Sequence, residues 1–326
     1  MSLELNERAI RLVESLVARA TEYRIQVTEL ASGARVVDCG IKAEGGLRAG
    51  VMLARVCLAD LAEVSVVPGA AGELACPLVQ VFTDHPVAAC MASQYAGWQI
   101  SVDLLPGPDG KERNYFAMGS GPMRAAAGRE ELFDKIGYRE SSPVAVGVLE
   151  TRKLPNEEVV RYICERAKVP PSGLSLLVAP TASQAGGVQI VARSVETALH
   201  KLHELGFDIS RIVSAHGTAP LPPVAKDDLA AIGRTNDAVL YGGRVTLWVR
   251  GDDASMEAIG PKVPSSASPD HGVPFAKIFA RAGGDFYKID PHLFSPAEVT
   301  FCNPDSGSNF KFGRVEPDVL VRSFRL

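Results

Sequence analysis

Apolar and polar residues along the chain fall into two rhythms. The first twenty residues place Ile10, Val13, Leu16 and Val17 at steps of one, three and four, with Glu4, Glu7, Arg8, Arg11, Glu14 and Arg19 between or beside them. This spacing predicts an amphipathic helix, and its charges interrupt any run long enough for a signal peptide or a membrane span. Strand-like runs follow at residues 24–30 and 35–41, around the turn Ala31-Ser32-Gly33. A Gly-rich stretch, residues 44–50, leads into an apolar helix ending near Leu61. Strands are expected at 64–67 and 78–82, and a helix after Pro86, because proline suits a first helical position. Further along, strands at 144–149, 174–178, 211–215 and 245–249 alternate with helices at 156–167, 188–205 and 226–241. That alternation predicts an α/β fold built in layers.

Two turn-rich stretches read as surface linkers or lids: residues 104–113, with Pro106-Gly107-Pro108-Asp109-Gly110, and residues 260–274, with Pro261, Pro264, Pro269 and Pro274. From Asp285 onward, prolines separate short strand-like runs, so the tail is expected to wrap earlier elements. A length of 326 residues suits two domains or one large one. The composition around Ser141-Ser142-Pro143 suggests a division into 1–142 and 143–326, with the tail packing back on the first part as the alternative. The chain has 34 Lys+Arg and 38 Asp+Glu, net charge -4, so no basic excess calls for nucleic acid or an anionic membrane. The six cysteines form no CxxC pair and read as buried, reduced thiols, which points to a cytoplasmic protein.

Candidate chemistry is concentrated in a few segments. Ala179-Pro180-Thr181-Ala182-Ser183-Gln184-Ala185-Gly186-Gly187 lies between an expected buried strand and a helix, where α/β proteins commonly bind ligands; a plain turn is the alternative. On the following helix Val191, Val195, Ala198, Leu202 and Leu205 mark the packed face. At about 100° per residue, Gln189, Arg193, Glu196 and His200 gather opposite it. Arg193 and Glu196 then form either a solvated surface pair or, under a covering layer, a cleft carboxylate held beside a guanidinium. Gly119-Ser120-Gly121 followed by Arg124 reads as an anion-binding turn or a plain loop, and Asp84 as a helix cap or a binding residue. His200, His203 and His216 lack the spacing of a zinc site, and no metal is expected.

Taken together, Asp84-His85-Pro86, Tyr95-Ala96-Gly97-Trp98-Gln99, Gly119-Ser120-Gly121-Pro122, Ala179-Pro180-Thr181-Ala182-Ser183 with the Arg193/Glu196 helix, Asn236-Asp237, and Asp285-Phe286-Tyr287-Lys288-Ile289-Asp290-Pro291 resemble the methenyltetrahydromethanopterin cyclohydrolase family. The segments run in order over nearly the whole chain. The resemblance implies reversible hydrolysis of a cyclic methenyl cation to a formyl-pterin, with water as second substrate and a tetrahydromethanopterin derivative as substrate, not as a bound cofactor. It also implies a cytoplasmic homotrimer whose subunit has two α/β parts flanking a deep pocket. By the family's Arg-x-x-Glu pattern, Glu196 is the general base and Arg193 its orienting partner, with Glu196 ionised when the cation is bound. Asp84, Ser120, Gly121, Arg124, Thr181, Ser183, Asn236 and Asp237 stand at motif positions suited to contact the pterin or its acidic tail, Arg124 through its guanidinium fork. Two other readings keep the same residues: a metal-independent hydrolase of another cyclic amidine, and a non-catalytic pterin-binding protein.

Overall fold

The computed structural model describes residues 3–71, 74–106, 113–285 and 288–324. Residues 107–112 of the first turn-rich stretch, and Phe286 and Tyr287 of the 285–291 motif, lie outside the described residues. The chain divides into two compact units, residues 1–60 with 92–186, and residues 61–91 with 187–326. The expected boundary at 142/143 lies inside the first of these.

Each unit is built on one six-stranded mixed sheet, as an α/β chain requires. In the first unit the hairpin Gln26–Glu29/Arg35–Asp38 turns at Gly33, whose φ of 86° lies in the left-handed region that glycine tolerates. Arg35–Asp38, Leu174–Ala179 and Ala145–Glu150 run parallel and are flanked by the antiparallel strands Arg113–Ser120 and Trp98–Leu104. All six residues of Leu174–Ala179 are buried, which explains its unbroken apolar sequence: both faces of the sheet are covered. Leu177 and Ala179 join the helices Leu5–Ala18 and Leu47–Cys57 on one face. Leu174, Leu176 and Val178 meet the helix Glu157–Ala167 on the other.

In the second unit the strand order is Asn309–Gly313, Glu298–Cys302, Arg244–Val249, Ile212–Pro220, Leu78–Thr83 and Glu63–Val67. Alternate residues such as Val79, Val81, Val245, Leu247, Val299 and Phe301 are buried, while Phe82 and Trp248 on intervening positions stay exposed. This period of two marks a sheet packed chiefly through one face. The helices Ser194–Glu204 and Asp228–Gly242 pack against Ile212–Pro220. The tail from Asp285 supplies two of the strands and the closing helix Pro317–Phe324, which packs on Asp228–Gly242.

Three local features differ from the reading of the sequence. The helix after Pro86 is a π-helix, Val87–Gln94, a widened turn often found near functional sites. The helix expected over 188–205 is two helices, Gln184–Val191 and Ser194–Glu204, broken where Arg193 takes φ −87° and ψ 9°. Apolar spacing runs through this break because both helices present an apolar side to the core. The stretch 260–274 is no loose lid: Ser265 N–H donates to Pro296 O, the Ser265 hydroxyl to Leu240 O, and the Tyr241 hydroxyl to Val273 O.

Candidate active site

The break at Arg193 starts a new helix, and Glu196 falls in its first turn, where the helix dipole favours a carboxylate. Gly217 on the neighbouring strand makes this placement possible. A Cβ there would lie 2.5 Å from Ser194 Oγ and 2.8 Å from Val195 Cγ2, so only glycine lets the helix start approach the sheet. Arg193 and Glu196 are 8% and 4% exposed, which excludes the solvated surface pair. Arg193 Nη1 stands 3.8 Å from Glu196 Oε2, and Arg193 Nε donates to Gln189 Oε1 at 3.1 Å. The arrangement is a buried carboxylate with a guanidinium beside it, oriented by a glutamine one helical turn earlier. Burial, and secondarily the Glu196 charge, push the Cys90 thiol well above its ordinary range, so Cys90 stays a thiol.

The other candidates in this unit lie in separate settings. Asp84, at the end of Leu78–Thr83, is exposed and accepts from the Ser214 hydroxyl at 2.7 Å. Asn236 is half-buried and donates to Ile232 O at 2.8 Å. Asp237 is fully buried, and its Oδ1 accepts the amide of Phe275, the first residue of the helix Phe275–Arg281. Burial pushes the Asp237 carboxyl up to about 7, against the opposing effects of Ser323, the Phe275 amide and Arg322.

In the first unit the candidates gather near strand ends. Ser120 Oγ lies 3.4 Å from Cys57 Sγ and from Val148 O. Gly121, at φ 90°, donates its amide to Ser93 O at 2.9 Å. Ser93 O also accepts from Arg124 Nη1 at 3.3 Å, so Arg124 secures the Gly-Ser-Gly turn. The Arg124 fork is engaged by Glu130 through Nε–Oε1 at 2.9 Å and Nη2–Oε2, and its guanidinium lies against the rings of Tyr95 and Phe133 at 5.0 and 5.3 Å. A contact from Arg124 to an acidic tail would require Glu130 to release that fork. Thr181 donates its hydroxyl to Glu150 Oε1, while Ser183 Oγ donates to Pro180 O at 2.7 Å and accepts the Gly186 amide at 3.0 Å, capping the helix Gln184–Val191.

Three acidic residues in this unit escaped the sequence reading. Glu150 and Asp38 close parallel strands, at the carboxyl edge where ligands settle in α/β sheets. Asp38 accepts four backbone amides, from Gly40, Ile41, Lys42 and Ala43, at 2.7–3.1 Å. Like Asp84, both are acids at the end of an apolar run. Glu130 carries no such signal, since its role depends on the packing of Arg124. Among the described residues no group of three or more His, Cys, Asp or Glu is placed to hold a metal ion, and no helix is long and apolar enough to cross a membrane.

The chain is a two-unit α/β protein with a buried glutamate beside an arginine at a helix start, and comparison with known proteins places it among the cyclohydrolases. Residues 4–324 match the family described as Cyclohydrolase (MCH). The methenyltetrahydromethanopterin cyclohydrolase of Rhodopirellula baltica is 48% identical over 99% of this chain and 95% of its own length. Proteins of the same name from Methylobacterium sp. and Methanococcoides burtonii are 45% and 42% identical, over 98% and 99% of this chain and 97% and 98% of their own lengths. The chain belongs to the methenyltetrahydromethanopterin cyclohydrolase family.

Proposed function

We propose that this protein is an enzyme that reversibly hydrolyses the methenyl-tetrahydromethanopterin cation to the formyl derivative, with Glu196 as general base and Arg193 as its orienting partner. The buried Arg193–Glu196 pair at the start of Ser194–Glu204 is the observation that carries this reading.

The methenyl carbon lies between two nitrogens of a cationic amidinium and is electrophilic before any enzyme touches it, so the reaction needs no Lewis acid to polarise it. It needs a positioned water, an acceptor for its proton and a proton for the departing nitrogen. Glu196 takes the water proton as oxygen bonds to the methenyl carbon and a neutral tetrahedral adduct forms. The same carboxyl returns that proton to one ring nitrogen as its bond to the carbon breaks, leaving a formyl group on the other; a further proton is lost from the hydroxyl as it becomes the carbonyl. Arg193, itself held by Gln189, keeps the carboxylate in one orientation while the cationic substrate adds attraction. Substrate contacts are assigned to Asp84, Ser120, Gly121, Arg124, Thr181, Ser183, Asn236 and Asp237. A cytoplasmic homotrimer without a resident metal or cofactor completes the proposal.

The test follows the near-ultraviolet absorbance of the methenyl cation with wild-type protein, with Glu196→Gln and with buffer alone. Fast decay that survives chelators and needs Glu196 is expected. Decay no faster than the buffer blank with wild type would overturn the reaction assignment. A loss of less than about tenfold in Glu196→Gln would overturn the base, since such a group contributes roughly 10² to 10⁴.

A further inference from the structure

One buried charge on the base's own helix has no part in this chemistry. Lys201 lies five residues after Glu196 and is 1% exposed. Its Nζ donates to His292 O at 2.6 Å, and the charge of Asp290 acts on it. Burial pulls its ammonium down to about 8, with Asp290 acting the other way, so this cation is kept from water at a cost. Asp290 is itself fastened: Oδ1 accepts the His292 amide at 3.0 Å, starting the 3-10 turn Pro291–Leu293, and Oδ2 accepts the Ser268 hydroxyl at 2.6 Å. Lys201 therefore ties the helix Ser194–Glu204 to the Asp290-Pro291 motif and, through it, to the 260–274 stretch.

A helix is a stiff rod, and one anchor leaves it able to pivot. Ser194–Glu204 has its first anchor where Ser194 and Val195 meet Gly217. Lys201 adds a second, about 7.5 Å along the axis from Glu196 at 1.5 Å per residue. Apolar contacts by Ala198, Leu199 and Leu202 hold the rod to the sheet but set no direction of their own. The Lys201 bond to His292 O is directional. We infer that Lys201 is a positioning residue for Glu196, fixing the pitch of the base-bearing helix through His292 and Asp290. The inference rests on the assignment of Glu196 as base. A displacement on the order of 1 Å is enough to cost a positioned base much of its rate.

The experiment is a double-mutant cycle on the full-length protein with the methenyl-pterin substrate: wild type, Lys201→Met, Glu196→Gln and the double variant. Lys201→Met is expected to lower kcat about tenfold with KM within about twofold of wild type, and to change the residual rate of Glu196→Gln by less than about twofold, because it acts only through that carboxylate. Hydrogen exchange in residues 194–204 should rise in the same variant. Ser268→Ala, a milder cut at the far side of Asp290, should lower kcat about threefold, and it decides the question should Lys201→Met fail to fold. A kcat within twofold of wild type in the folded variant, or a loss that adds fully to that of Glu196→Gln, would overturn the inference. An inactive wild type would instead overturn the reaction assigned above.

Discussion

Among the described residues two Arg–Glu pairs have a buried guanidinium, and they are built differently. Arg124 meets Glu130 with both arms of its fork, lies against two aromatic rings and also grips Ser93 O. Arg193 approaches Glu196 at 3.8 Å, outside hydrogen-bond range, while its Nε is turned to Gln189. A bidentate pair uses the geometry of both partners and makes a brace. The wider Nη1–Oε2 spacing of the Arg193–Glu196 pair fits the proton exchange proposed for Glu196. On the proposed function, burial of the guanidinium does not distinguish the two pairs, and the bonding within each pair does.

The largest effect is expected at Glu196. Glu196→Gln should lower kcat by about 10² or more while a titration of methenyl substrate still shows binding. Glu130→Gln should do the reverse: it leaves the Arg124 guanidinium buried without its counter-charge, so denaturant unfolding should show a loss of about 3 kcal/mol, with kcat near the wild-type value. Equal catalytic losses in the two variants would erase the distinction.

The fully buried Asp237 offers a further contrast, because burial dominates its titration. Its folded value of about 7 exceeds the ordinary 3.8, so between those values the folded protein binds more protons than the unfolded chain. Its contribution to stability is fully present below about pH 4 and is lost as pH rises through 7. Asp237→Asn keeps an acceptor for the Phe275 amide and should flatten that part of the stability profile, gaining about 2 kcal/mol at pH 8 relative to wild type. An unchanged slope would mean that another group governs it. The smallest effect is expected at Gly97, where an added Cβ would lie 2.1 Å from Glu130 Oε2. Gly97→Ala should displace the brace and cost about 1–2 kcal/mol in unfolding experiments while sparing kcat.

Much of this architecture was legible from periodicity. Leu174–Ala179 reads as a buried strand because both its faces are apolar, and the Gly33 hairpin follows from its turn residues. The break at Arg193 was not legible: Val191 and Val195 continue a helical spacing across it, and only the backbone angles end the helix. Lys201 was within reach, since on a helical wheel it sits beside Ala198 and Leu205 on the apolar side, an unusual place for a lysine without a buried partner.

From the sequence alone came the α/β class, the order of the motifs and the adjacency of Arg193 and Glu196, because these depend on side-chain spacing within single elements. Tertiary structure decided what spacing cannot. It buried the Arg193–Glu196 pair, closed Arg124 onto Glu130, and set residues 61–91 in one sheet with strands more than a hundred residues later. The physical reason is that solvent exclusion and fork geometry belong to contacts between segments distant in sequence, and local pattern carries no term for them.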